Sequence, residues 1–147
     1  MQNSFANEKV LRFYQNLQFN IYSKPELSAE QIKKNNPIGI YKNLEKILRN
    51  SPEFRFLDVG CGAGWFANSI KYHFNKIEAY GLDFNKNALK FANEVSKILK
   101  IDTNFICQDL FNIKFQEKFN LITSIGVLHH TNNCLEALKK LLELNSD

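Results

Sequence analysis

The residues of this sequence best suited to chemistry are three glycines at alternate positions, Gly60, Gly62 and Gly64. They follow a short apolar run at residues 54–59, which predicts a buried strand, and they precede a segment with helical spacing. Because glycine lacks a Cβ atom, such a loop can turn tightly and let a ligand lie against its backbone. The free N–H groups that begin the following helix suit a carboxylate or a phosphate equally well. The strand–loop–helix context therefore predicts a ligand site at this loop.

A dinucleotide is one ligand that such a loop could hold. Dinucleotide sites also place glycines here and an acidic residue about 20 residues further on. Their third glycine normally comes three positions after the second, whereas Gly64 comes two after Gly62 and the bulky Trp65 follows. Asp58, just before the loop, has no role in a dinucleotide site. A nicotinamide-dependent oxidoreductase stays open as an alternative, although this spacing disfavours it.

The elements that must position the loop alternate between strand and helix after residue 52. Apolar runs predict strands at residues 54–59, 78–83, 104–107 and 119–125. Apolar residues recur at helical spacing between them, and Asn133 and Glu136 are placed like a capping box before the last helix. Strands that alternate with helices favour a parallel sheet covered on both faces. We therefore predict an α/β fold with a Rossmann-like, doubly wound parallel sheet.

The residues before the first strand differ from the rest because they show helical spacing without strands. Apolar residues recur in this way within residues 10–17 and again within residues 40–48. Asn36 and Pro37 are placed as a helix cap and a first-turn proline, and Pro25 marks a break. The chain therefore divides into an α-helical N-terminal extension, expected to act as a lid, and a ligand-binding domain, at residues 1–52 and 53–147.

Composition and charge exclude several classes of protein. The 147 residues are enough for one ordinary domain, and no apolar run is long enough for membrane insertion. The net charge of +4 comes from scattered or paired lysines, so no basic patch predicts nucleic acid binding. The N-terminus does not resemble a signal peptide, and we expect a cytoplasmic protein.

The three cysteines, Cys61, Cys107 and Cys134, match neither a disulfide framework nor a zinc site. We therefore expect no metal. Cys61 lies near a helix N-terminus, which could lower its pKa, but no histidine or second cysteine neighbours it in sequence. We interpret it as a small filler residue, and we expect Cys107 to be buried in its strand.

Residues 57–64, Leu-Asp-Val-Gly-Cys-Gly-Ala-Gly, resemble motif I of the class I S-adenosylmethionine-dependent methyltransferases. Residues 81–83 are similar to the acidic end of that family's second strand, and residues 107–110 to the acidic loop after its third. Residues 119–130 closely resemble the fourth strand and following loop of its small-molecule branch. The resemblance covers about residues 53–144 and implies the first four strands of a seven-stranded methyltransferase fold, truncated at the carboxyl end.

The resemblance implies S-adenosyl-L-methionine as the cofactor. Asp83 would accept hydrogen bonds from both ribose hydroxyls, and Asp109 would accept one from the adenine amino group. Asp58 would face the ammonium of the methionine portion. The implied cofactor-binding residues are Asp58, Gly60, Gly62, Gly64, Asp83, Phe84, Asp109, Leu110 and Ser124, with Phe84 and Leu110 on the two sides of the adenine. Local roles stay open, because Asp83 could instead cap the next helix and Asp109 could be an ordinary loop acid.

The resemblance also implies methylation of a small-molecule acceptor by in-line displacement. A sulfonium methyl group is already activated, so this kind of transferase needs mainly alignment and exclusion of water. His129 and His130 follow the fourth strand and are the candidate catalytic residues, either as a base or as a means of positioning the acceptor. The alternative is a structural role, in which the histidines form hydrogen bonds with the backbone of the loop. A non-catalytic S-adenosylmethionine-binding or scaffold module is the alternative from a different class of protein.

The fourth strand becomes an edge in the family's strand order when no fifth strand pairs with it. Residues 121–127 carry no charge and no proline and have high β-propensity. An exposed edge of this kind is a template for pairing with another chain. We therefore expect self-association through the fourth strand.

Overall fold

The computed structural model describes residues 12–13 and 23–146 and contains a parallel sheet of four strands. The strands β1 to β4 span Arg55–Val59, Glu78–Asp83, Asn104–Cys107 and Leu121–Thr123. Their order is β3-β2-β1-β4, and β1 pairs in parallel with both β2 and β4. The strand order therefore reverses at β1, and folds of this kind bind ligands outside the carboxyl ends of the strands at that point. The predicted α/β class and doubly wound parallel sheet are confirmed.

Helices precede the sheet and connect its strands. Helices α1 to α6 span Pro25–Lys34, Pro37–Ile40, Leu44–Ile47, Trp65–His73, Lys86–Leu99 and Cys134–Glu143. Asn85 caps α5, since its side-chain oxygen accepts from the N–H groups of the first turn at 3.0 and 3.3 Å. Asn133 caps α6 by accepting from the Glu136 N–H at 3.0 Å, as the capping pattern predicts.

Both faces of β1 are buried. Phe56 packs with Phe66 of α4 on one face, whereas Leu57 and Val59 pack with Leu141 of α6 on the other. Burial on both faces explains why this strand is a nearly continuous apolar run in the sequence. Asp58 interrupts the run, and its burial therefore requires a partner or a function.

The described part of the N-terminal extension is helical, as predicted. Pro25, interpreted as a break, instead begins α1, because proline is well suited to the first helical position. Helix α1 packs against α4 and α5, and the His73 ring N–H donates to the Ile32 carbonyl at 2.8 Å. Asn36 caps α2 as predicted. The helical pattern within residues 10–17 lies almost entirely outside the described residues.

Strand β4 is shorter than predicted, because the chain bends at Ile125 and at Gly126, whose φ is +69°. Just before the strand, Phe119 pairs on the side away from β1. Its N–H donates to the Leu144 carbonyl at 2.9 Å, and its carbonyl accepts from the Ser146 N–H at 2.8 Å. Within the described residues, no strand pairs with the outer edge of β4 itself.

Cys107 is exposed, so the prediction that it is buried is wrong. The reason is the position of β3, which is an outer strand of the sheet with no fully buried residue. Across residues 12–13 and 23–146, no helix has the length and apolar character needed to span a bilayer.

Candidate functional site

The glycine loop joins β1 to α4 and is tied back to β2. The N–H groups of Gly60 and Cys61 both donate to the Leu82 carbonyl, at 2.7 and 3.0 Å. Gly62 has φ +53°, in the left-handed region that side chains disfavour, and apart from its chain neighbours no described residue has a heavy atom within 4 Å of where its Cβ would be. The backbone of Gly62 is therefore open to a ligand.

The other two glycines of the loop face the protein itself. A Cβ on Gly60 would lie 2.4 Å from the Val127 side chain. A Cβ on Gly64 would lie 2.6 Å from Ala92 and 2.7 Å from Phe105. Gly64 therefore lets α4 approach α5 and β3 closely, and its assignment to the cofactor stays a prediction.

Asp83 is the last residue of β2, and its side chain connects this strand to the glycine loop and to the start of α5. Its Oδ2 accepts from the Gly62 N–H at 2.8 Å, and its Oδ1 accepts from the Asn85 N–H at 2.8 Å. The residue that caps α5 is Asn85, so Asp83 does not have the cap role that the sequence left open. Burial raises the pKa of Asp83, while its backbone hydrogen bonds oppose that shift. Asp83 is thus a preorganised acceptor at the carboxyl edge of the sheet.

Asp58 lies in β1 and is only 4% exposed. Its Oδ1 accepts from the Thr123 hydroxyl at 2.8 Å, across the paired strands β1 and β4. Burial raises the pKa of Asp58 to about 7, with a smaller contribution from the charge of Asp83, while the Thr123 hydrogen bond lowers it. Burial likewise raises the pKa of the Cys61 thiol, which agrees with a filler residue.

The segment after β3 brings Asp109 and Leu110 to the same edge. The Gln108 N–H donates to the Asp83 carbonyl at 3.1 Å, which fixes this segment beside the end of β2. Asp109 Oδ1 accepts from the Phe111 N–H at 2.9 Å and caps a short 3-10 helix at Leu110–Asn112. Leu110 is buried and Phe84 is half-buried. The cap is compatible with the predicted adenine contact, because a carboxylate has further acceptor positions.

The segment after β4 contains Ser124 and the paired histidines. The Ser124 hydroxyl is buried and has no hydrogen-bond partner among the described residues. His129 and His130 are exposed in a short 3-10 helix, Leu128–His130, with their ring centroids 3.9 Å apart. The assignment of both histidines to catalysis stays a prediction. Within the part of the chain that the structure describes, no cluster of His, Cys, Asp and Glu could hold a metal.

A cleft of about 550 Å³ lies between the N-terminal extension and the end of β4. Its lining is mostly apolar and includes Ile40, Tyr41, Ile47, Phe66, Thr123 and Ile125. Sequence reasoning missed both this cleft and the role of Thr123. The only signal for Thr123 was its place in the fourth strand, because its contact with Asp58 depends on the register of two strands 65 residues apart.

Comparisons with known proteins identify relatives of this chain. The family model described as "Methyltransferase domain" matches residues 50–147. An uncharacterized protein of Methanocaldococcus jannaschii is 30% identical over 103 residues, which are 68% of this chain and 41% of that protein. The mitochondrial ubiquinone biosynthesis O-methyltransferase of Saccharomyces cerevisiae is 29% identical over 118 residues, 78% of this chain and 36% of that enzyme. The chain thus spans less than half the length of these two relatives.

Solved structures show the same fold. The crystal structure of an S-adenosylmethionine-dependent methyltransferase from Clostridium acetobutylicum superposes with a TM-score of 0.63 at 19% identity. The superposition covers 96% of this chain and 54% of that protein. The match of the family model to residues 50–147 extends over two thirds of the sequence. This chain therefore belongs to the methyltransferase domain family.

Proposed function

We propose that this chain is the cofactor-binding part of an S-adenosylmethionine-dependent methyltransferase that acts on a small molecule. The observation that carries the proposal is the meeting of three acidic residues, Asp58, Asp83 and Asp109, with the glycine loop at one edge of the sheet. Membership of the methyltransferase domain family supports it. The small-molecule acceptor is supported by the similarity to the ubiquinone biosynthesis O-methyltransferase.

The residues of the site fit this cofactor chemically. S-adenosylmethionine offers an ammonium, a ribose diol and an adenine amino group, all of which donate hydrogen bonds to carboxylates. Asp83 would hold the ribose, Asp109 the adenine amino group, and Asp58 the methionine end. The open position at Gly62 leaves room for the ligand against the backbone. The buried Ser124 hydroxyl, which lacks a partner among the described residues, offers one more polar contact.

The same geometry disfavours a dinucleotide. A dinucleotide's pyrophosphate binds to free N–H groups at the glycine loop and at the N-terminus of the following helix. Here the Gly62 N–H already donates to Asp83 at 2.8 Å, and Asp58 is buried directly before the loop. The acidic side chain of Asp58 beside the loop would repel a pyrophosphate and attract a cation.

The main contribution of the protein to methyl transfer would be to align the cofactor and the acceptor. When bound, S-adenosylmethionine supplies a methyl group that its sulfonium already activates. The apolar cleft beside Thr123 is within the usual size range for small-molecule sites and is the proposed place of the acceptor. His129 or His130 would accept the proton that the acceptor loses.

Isothermal titration calorimetry on the whole chain tests the proposal. We expect S-adenosylhomocysteine to bind, and we expect NAD⁺ to show no binding at the same concentration. Binding of NAD⁺ without binding of S-adenosylhomocysteine would contradict the proposal and favour the oxidoreductase. Binding of S-adenosylhomocysteine without transfer of a labelled methyl group to any small-molecule extract would favour a non-catalytic module.

A further inference from the structure

Asp58 is the most deeply buried acidic group of the site, and one neutral side chain determines how its carboxylate is held. Thr123 pairs with Asp58 in the register of β1 and β4, and its hydroxyl donates to Asp58 Oδ1 at 2.8 Å. Among the titratable groups of the neighbouring elements, Asp83 at the end of β2 raises the pKa of Asp58, and Asp58 in turn raises the pKa of the Cys61 thiol in the loop. Thr123 is the group that favours the ionised form.

A hydroxyl has a property that a fixed charge in this place would lack. It can donate to Asp58 when the carboxylate is ionised, and it can accept from Asp58 when the carboxyl group is protonated. Both protonation states of Asp58 therefore keep a partner, and the bond to the charged carboxylate is the stronger of the two. A lysine or arginine here would instead neutralise Asp58 and compete with a cationic ligand.

Thr123 also faces the space where ligands would lie. It lines the apolar cleft between the N-terminal extension and the end of β4 while it holds Asp58. The buried carboxylate is therefore anchored from the side of the proposed acceptor cleft. The next residue, Ser124, has a buried hydroxyl without a hydrogen-bond partner among the described residues.

From this geometry we propose that Thr123 is a positioning residue, whose donated hydrogen bond keeps Asp58 as the charged acceptor for the ammonium group of the cofactor. The inference rests on the proposed function. Without the hydroxyl, the carboxylate loses the hydrogen bond that favours its charged form. A larger part of the binding free energy is then needed to deprotonate Asp58. The loss in affinity should therefore be largest where Asp58 is mostly protonated and should vanish where it is already ionised.

The experiment compares wild type, Thr123→Val and Thr123→Ser in titrations with S-adenosylhomocysteine between about pH 6 and pH 8.5. Loss of one hydrogen bond to a charged group changes an equilibrium constant by about tenfold or somewhat more. We expect the Kd of Thr123→Val to exceed that of wild type by about tenfold near pH 6 and to approach it near pH 8.5. Thr123→Ser keeps the hydroxyl and should follow the wild-type profile. Valine is isosteric with threonine and favoured in strands, so the fold is expected to tolerate it.

A second readout needs no ligand. A carbon-13 NMR titration of the aspartate side chains should give a carboxyl group with a midpoint near neutral pH, and Thr123→Val should move that midpoint upward. A ratio of Kd values that does not change with pH, or a serine variant as impaired as the valine variant, would overturn the inference while the proposed function stands. Failure of wild type to bind S-adenosylhomocysteine at any pH would overturn both.

Discussion

At the scale of single residues, the site concentrates acidic groups in places that are poor for stability. Asp58 and Asp83 are 4% and 8% exposed, and burial raises the pKa of each. Neither carboxylate forms a salt bridge in the described part of the chain. Buried acids without a cationic partner usually mark a functional site, because burial of the charge has a cost that folding alone does not justify.

The first prediction concerns the pH dependence of stability. Between about pH 4 and pH 7, native Asp58 keeps a proton that the unfolded chain has already lost, because its native pKa is about 7. The unfolded state then binds fewer protons, so the free energy of unfolding falls as the pH rises through this window. Asp58→Asn has no proton to lose and can still accept from Thr123. Relative to wild type, it should gain on the order of 2–4 kcal/mol between pH 4 and pH 8.

Urea unfolding at a series of pH values measures this difference. The informative quantity is the free energy of unfolding of Asp58→Asn minus that of wild type at each pH, since titrating groups that do not interact with Asp58 contribute equally to both proteins. A difference that stays constant from pH 4 to pH 8 would mean that Asp58 titrates normally in the native state.

The second prediction concerns the ribose contact proposed for Asp83. Asp83→Ala removes an acceptor for two hydroxyl groups, so the Kd for S-adenosylhomocysteine should rise roughly 10- to 150-fold. The variant should also be less stable by about 1 kcal/mol or more, because the Gly62 and Asn85 N–H groups lose their acceptor. Calorimetry at low temperature keeps the protein folded. Glu94→Gln, on the exposed side of α5, removes the same charge and should bind like wild type.

The third prediction separates the two histidines from each other and from the cofactor. If one of them is the base, its alanine variant should lose about 10²-fold or more in methyl transfer while the Kd for S-adenosylhomocysteine is unchanged. The other variant should keep most of its activity and serves as the control. Near-normal turnover in both His129→Ala and His130→Ala would assign catalysis to alignment alone.

At the scale of elements, the three glycines of the loop between β1 and α4 have different structural roles. Gly62 is open to a ligand, whereas Gly60 and Gly64 permit contacts between α4 or its loop and the rest of the domain. The loop therefore belongs to the packing of the fold as much as to the binding site. Its sequence pattern alone does not reveal this difference, because Ala92 and Phe105 are far from Gly64 along the chain.

The fourth prediction tests this division of roles. Gly64→Ala places a methyl group 2.6 Å from Ala92 at a φ of +74°, so we expect a loss of about 2–3 kcal/mol in the free energy of unfolding. Gly39→Ala is the control, because it lies in helix α2 and no atom of the described residues beyond its own helix lies within 4 Å of its Cβ position. That control should be neutral or up to about 1 kcal/mol more stable. Equal effects of the two substitutions on denaturant unfolding would contradict the packing role.

The elements that were predictable are those whose signals are local. The strands β2 and β3 have the predicted ends, because short apolar segments closed by polar residues indicate a strand without knowledge of its neighbours. The start of helix α1 at Pro25 was not predicted, because a proline can end one element or begin another, and only the next helical turn decides which. The contact between Thr123 and Asp58 was beyond reach, because it depends on strand register.

At the scale of the whole molecule, the carboxyl edge of the sheet is well organised, while one lateral edge is open. Residues 144–146 pair with Phe119 just before β4, and nothing described pairs with the outer edge of β4 itself. Ile125, in the bend two residues after that strand, is 47% exposed. Helix α6 adds Leu135 and Leu142, which are 62% and 63% exposed. Exposed strand edges and apolar patches of this kind favour association.

The fifth prediction is that the 147-residue chain associates through the edge of β4. Residues 121–127 have no charge and no proline, and an unpaired strand of this type adds readily to another chain. A charge within β4 is a poor test. Leu121 and Ile122 pack in the hydrophobic clusters on the two faces of the sheet, and Thr123 donates a hydrogen bond to Asp58. Ile125→Lys instead places a charge in the exposed bend just beyond the edge, where lysine opposes strand pairing.

Light scattering coupled to gel filtration gives the decisive comparison. Wild type should show a mass above the 17.1 kDa of one chain that rises with concentration, and Ile125→Lys should return it toward 17.1 kDa. Leu135→Lys adds the same charge on the exposed side of α6 and should leave the association unchanged. A monomeric wild type at high micromolar concentration would remove the edge as a site of association, and an equal effect of the two lysines would transfer that role to α6. Because the contact is between strands, association should also add β-sheet signal in the infrared amide I band.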